Sequence, residues 1–191
     1  MAGLAAPLFR ARAAARLGVT FDGDNLHLSA PELHFLTGKP LSRLHDGATV
    51  VFISQITLLH EDRLREIRRS RDRLTVSYDV LEEKFSVMLG VDRRSVKRLS
   101  ASAAESWCLD NLAISALGMA PDETFWLHFD LHPATPRELS AVVDDSGISM
   151  TALIEALGRK QGPDEDHWSL DAGPLRLADL TRLGGRGARN G

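Results

Sequence analysis

The sequence predicts a mainly β protein: an antiparallel β-sandwich-like (immunoglobulin-like) domain with one packed helix near residues 102–117 and a short C-terminal helix. Three stretches carry that prediction. Over Arg68 to Val91, Leu74, Val76, Tyr78 and Val80 alternate with Arg73, Thr75, Ser77 and Asp79, and Phe85, Val87, Leu89 and Val91 resume the apolar face beyond Glu82-Glu83-Lys84. A period of two with a polar break is a β-hairpin with one buried face. Thr49 to His60 is apolar on both faces and rich in β-branched residues, which is how a covered central strand reads. Asp122 to His132 alternates strictly, with Phe125, Leu127, Phe129 and Leu131 on one side and Trp126, His128, Asp130 and His132 on the other. Turn signals space roughly six to eight strands along the chain.

The first fifteen residues stand apart. Gly3 to Phe9 is apolar and Ala11-Arg12-Ala13 has the small-x-small form of a signal-peptidase site, but no basic region precedes them. Two readings stay open, a flexible N-terminus or the remnant of a signal sequence whose start lies upstream. The first places the protein in the cytoplasm and the second in the periplasm or outside the cell.

Residues 16–133 read as the sandwich domain. Leu17, Val19 and Phe21, then Asp22-Gly23-Asp24-Asn25, then Leu26 and Leu28 form a hairpin pattern, because Gly takes positive φ without steric cost. The spaced acids and distal Glu of a calcium loop are missing, so this is a plain turn. Pro31 to Asp46, interrupted by Gly38 and Pro40, reads as an irregular strand and one helical turn over Leu41 to His45, closed by Gly47. Ser102 and Glu105 have capping-box spacing, and Ala104, Trp107, Cys108, Leu112 and Ala116 share one face as far as Gly118; this is the packed helix. Residues 134–183 read as a helix over Ser149 to Lys160 and an extended segment over Trp168 to Leu180, with Gly173-Pro174 as its turn. Residues 184–191, rich in Gly and Arg, read as a disordered tail.

Composition narrows function mainly by exclusion. Of 191 residues, 43% are hydrophobic and 26% charged, the balance of an ordinary globular protein, and the net charge of -3 offers no basic face for nucleic acid. No stretch reaches the roughly 18 apolar residues that span a bilayer. One cysteine, Cys108, excludes an intrachain disulfide and a cysteine-based zinc cluster; its apolar surroundings fit a buried structural thiol. Phosphate-cradling loops, nucleophile elbows and zinc-protease motifs are absent, and no cofactor is implied. Glu82-Glu83 are solubilising charges of a turn.

Two sets of residues remain as candidates. Arg69, Arg71 and Arg73 project from one face of their strand as a basic row suited to a protein partner, although Glu61, Asp62, Glu66 and Asp72 interleave with the arginines of this region. His128, Asp130 and His132 share a strand face and have the donor types of a divalent-metal site, yet same-face neighbours on one strand stand about 7 Å apart and need help from an adjacent strand to close on one ion. Trp126, on that same side, is expected to pack under the 102–117 helix, with a partly apolar outer surface that meets a helix or a partner as the alternative.

Ser77-Tyr78-Asp79, inside RLTVSYDVLEEKFSV, resembles the core motif of a family of uncharacterised, generally exported bacterial proteins known only as a domain of unknown function. The resemblance runs in order through LSRLHDGATVVFISQITL, the basic strand, its return strand, SASAAESWCLDNL and FWLHFDL, so it covers about Gly18 to His132. It implies an envelope-located, β-rich sandwich and no catalytic residues; His128 and His132 fall outside the family motif. The function expected from the whole reading is a non-enzymatic binding or assembly module of the bacterial cell envelope with an envelope protein as partner. A metal-dependent enzyme built on His128, Asp130 and His132 and a structural cytosolic domain are the alternatives.

Overall fold

Hairpins set the plan of the fold. A computed structural model describes residues 16–90, 94–135, 138–139 and 166–180. Strands β1 (Gly18–Phe21) and β2 (Asn25–Ser29) are followed by helix α1 (Gly38–His45), then by β3 (Val50–His60), β4 (Glu66–Asp79), β5 (Lys84–Leu89) and β6 (Arg94–Leu99). Helix α2 (Ala101–Asp110) leads to β7 (Ala113–Ser115), β8 (Phe125–Pro133), β9 (Trp168–Leu175) and a 3-10 turn over Leu177–Asp179. The strands form two antiparallel sheets, one of three in the order β1-β2-β7 and one of six in the order β6-β5-β4-β3-β8-β9. The mainly β, sandwich-like architecture is therefore present.

Three of the hairpin turns are closed by the same device. Asp22 Oδ1 accepts from the amides of Asp24 and Asn25 at 2.9 and 2.7 Å, Asp62 Oδ1 from Leu64 and Arg65 at 3.0 and 3.2 Å, and Asp79 Oδ1 from Leu81 and Glu82 at 2.9 and 3.0 Å. An Asp side chain that takes two amides replaces backbone partners the turn cannot supply. The Leu64 amide, aided by Arg65, holds the Asp62 carboxyl down at about 2.

The core lies on one face of the large sheet. Phe52, Ile56 and Leu58 of β3 and Phe125, Leu127, Phe129 and Leu131 of β8 are at most 1% exposed, and they form one cluster with Leu26 and Ile114 of the small sheet, Leu44 of α1, and Cys108 and Leu109 of α2. Each such side chain removed from water contributes about 1.5–3 kcal/mol, so the small sheet and both helices are held by what they cover. β3 is central, paired with β4 and with β8; its apolar sequence predicts a central strand covered on both faces, and the core covers one of them.

Several elements depart from the sequence reading. Residues 31–37 form no strand; they run as a loop that buries Leu33, Phe35 and Leu36. Helix α1 includes Pro40, which is tolerated because it lies in the first turn, where no intrahelical amide partner is needed. Helix α2 spans Ala101–Asp110 and not 102–117, because β7 takes the next residues into the small sheet beside β2. Its N-cap is Ser100, whose Oγ accepts from the Ala103 amide at 3.2 Å, and not Ser102. Strand β6 was not anticipated, since Val96 and Leu99 are its only apolar residues. The extended segment after residue 167 is β9, an edge strand whose pairing with β8 shifts register at Gly173-Pro174, which makes no turn. The expected helix over Ser149 to Lys160, the tail 184–191 and residues 1–15 lie outside the described residues.

Candidate functional site

Strand pairing decides which candidate residues meet. In an antiparallel ladder directly opposed residues share a face. Across β4, β3, β8 and β9 one row reads Arg69, Thr57, His128, Asp171; the next Arg71, Gln55, Asp130, Ser169; the third Arg73, Ile53, His132. The arginine row and the His128/Asp130/His132 row therefore stand on the same side of the large sheet, the side opposite the core. Only β3 separates them, about 10 Å from β4 to β8 at ~4.8 Å per strand.

This outer face is laced with charge pairs. His128 lies between two carboxylates, with Nδ1 at 2.7 Å from Asp171 Oδ1 and Nε2 at 2.8 Å from Asp130 Oδ2. The second oxygen of Asp130 meets His167 Nε2 at 3.1 Å. Asp171 also receives the Arg63 guanidinium at 3.1 Å, and Arg63 lies 4.2 Å over the Trp126 ring, a cation–π contact. His132 departs from this group: its Nε2 is 3.3 Å from Glu138 Oε1, which also pairs with Arg71. Arg69 pairs with Glu66 on its own strand.

Glu138 is the junction between the two rows. Burial opposes its ionisation, but Thr135, donating from its amide at 2.8 Å and its hydroxyl at 2.9 Å, and the adjacent His132 outweigh that and hold its carboxyl below the usual range. The chain leaving β8 is thereby tied down over Arg71.

The metal reading gains no convergence from this geometry. His128 and Asp130 meet, His132 turns to Glu138, and among the described residues no group of three or more His, Cys, Asp or Glu is arranged to hold an ion. Trp126 is not packed under α2, because its strand position sends it to the outer face. Its ring lies so close to Gly173 that a Cβ there would come within 2.7 Å of it. Gly173, at φ +146°, meets both the conformational and the spatial demand.

Other places in the molecule offer less chemistry. Cys108 is fully buried, and burial, reinforced by Glu105, pushes its thiol up to about 12, which removes it as a nucleophile. An open cavity of about 630 Å³ beside the β3–β4 turn is lined by His60, Glu61, Asp62, Arg65, Asp122, Glu123 and Thr124, but Asp62 is engaged in the turn and His60 pairs with Glu123 at 3.2 Å.

Sequence reasoning missed Arg63, Glu138, His167 and Asp171. Thr135-x-x-Glu138 is itself a capping-box spacing that marks Glu138; His167 and Asp171 had no local signal, because their place depends on β9 lying beside β8. Ser77-Tyr78-Asp79 has structural duties: Ser77 faces Ser86, the Tyr78 ring packs 4.6 Å from His45 and 4.8 Å from Phe85, and Asp79 closes its turn. No protein-family model matches the chain, and neither a curated protein nor a solved structure matches it.

Proposed function

We propose that this chain is a non-enzymatic binding or assembly module of the bacterial cell envelope that offers the outer face of its six-stranded sheet to a protein partner. The observation that carries the reading is the meeting of both candidate rows on that face. An array of Arg, His, Asp and Trp held by cross-strand pairs is a recognition surface; among the described residues it gathers no nucleophile with a base and no converging ligand set.

The face is a better candidate than a strand edge. Edge strand β6 carries Arg94, Lys97 and Arg98, has Arg98 at φ +64°, and pairs with β5 through a register shift. Edge strand β9 is interrupted by Gly173-Pro174. Charged residues, irregular pairing and proline all discourage addition of a further strand.

Site-specific photocrosslinking in the source cell tests the reading. A benzophenone side chain replacing Thr75 on the outer face is expected to give a discrete protein adduct in the envelope fraction, whereas one at Ser102, on the exposed side of α2, is not. Equal labelling from both positions, or a chain recovered as an uncrosslinked cytosolic monomer, would overturn it.

A further inference from the structure

The three arginines of the outer row are not equivalent. Arg69 is paired with Glu66 and Arg71 with Glu138, so their charges are balanced within the fold. Arg73 has no carboxylate partner among the described residues, and its Nε is buried without an acceptor. The buried Nε lies out of a partner's reach; the terminal nitrogens, which carry no ion pair among the described residues, are the donors left for one.

The surroundings of Arg73 differ as well. In the ladder it stands beside Ile53 on β3, and the next row toward the β3 N-terminus places Val51, Thr75 and Met88 together on the same face. Ile53 is 5% exposed and Met88 37%. On its β5 side Arg73 meets Gly90, whose amide donates to the Arg73 carbonyl at 2.8 Å and which presents no side chain. An arginine beside Met, Val and Ile has the composition of an interface centre.

We infer that Arg73 is the anchor of a docking patch for a carboxylate side chain of the protein partner, with Val51 and Met88 as its apolar rim over buried Ile53. This rests on the outer-face reading and assigns the partner's chemistry: an Asp or Glu flanked by apolar residues. A polyanion such as nucleic acid needs several uncompensated cations side by side, and the neighbouring Arg69 and Arg71 are neutralised. A planar guanidinium takes a carboxylate through parallel N–H donors, which a lysine cannot reproduce.

The Thr75 crosslinker, carried by full-length chains, separates the possibilities. With Arg73→Glu the adduct yield is expected to fall by at least about tenfold, and with Arg73→Lys by a smaller factor, because charge is kept and the fork is lost. Arg69→Gln and Arg71→Gln are expected to cost less than Arg73→Gln. Circular dichroism of each variant checks folding, and Arg73→Gln stands in should the Glu variant fail to fold. Mass spectrometry of the adduct should locate an Asp or Glu beside the crosslinked partner residue, and its replacement by Arg should restore capture by Arg73→Glu. An adduct insensitive to both Arg73→Glu and Arg73→Gln, or a partner segment without an acid, overturns the anchor while leaving the outer face as the interface. No adduct from the wild-type residue at position 73 overturns both.

Discussion

Glu105 is 5% exposed, and both of its carboxylate oxygens are engaged: Oε1 accepts from the Leu36 amide at 2.7 Å and Oε2 lies 2.9 Å from His34 Nδ1. It ties the loop that carries Leu33, Phe35 and Leu36 to α2. Glu105→Ala would leave the buried Leu36 amide without its acceptor, and it is expected to destabilise the protein by about 1–3 kcal/mol. Glu105→Gln keeps an oxygen for that amide and should cost less; urea unfolding of the two variants checks the order. The sequence offers Glu105 as the second half of a capping box because Ser102 stands three residues before it. The helix starts two residues earlier, at Ser100, so Glu105 turns inward and not back to the N-terminus. Gly173 has a similar history. It reads as a turn residue, and its actual requirement, the ring of Trp126, becomes visible only when β9 is placed beside β8.

Element boundaries show where local patterns compete. Leu112 and Ala116 are four apart and fit the helix face begun by Ala104 and Cys108, but Ile114 is equally buried, and 112, 114 and 116 together make a strand period. The small sheet settles it: β2 offers an open edge that β7 fills. Alternating β4, β5 and β8 were legible because burial of one face dictates every second residue, and β3 because a long apolar, β-branched run marks a central strand. Short β6 was not, since a mostly solvated edge needs no apolar repeat. The start of α2 gives a direct test at this scale. Ser100→Ala removes the side chain that accepts from Ala103 and should cost about 1 kcal/mol. Ser102→Ala, within the helix, should cost far less, and thermal melts of the two variants distinguish an N-cap at 100 from one at 102.

For the whole molecule, the sequence supplied the pieces of the candidate site without their assembly. Arg69, Arg71 and Arg73 and His128, Asp130 and His132 could each be assigned to a strand face from alternation. That the two strands flank β3 with their polar sides aligned is a fact of strand order and register, which no local pattern contains. Glu138, joining Arg71 to His132, exists as a junction only after that assembly.

The same strand order has a kinetic consequence. From β3 to β6 neighbours in the chain are neighbours in the sheet, so this meander closes only short loops. β8 must return past α2 and the small sheet to reach the free edge of β3, and β9 can dock only after it. Loop-closure entropy favours the meander as the folding nucleus, with β9 a late addition. Leu74→Ala in β4 should destabilise by about 2–5 kcal/mol and show chiefly as slower refolding in stopped-flow measurements. Leu170→Ala in β9 should show chiefly as faster unfolding. The reverse pattern would place the nucleus at β8 and β9.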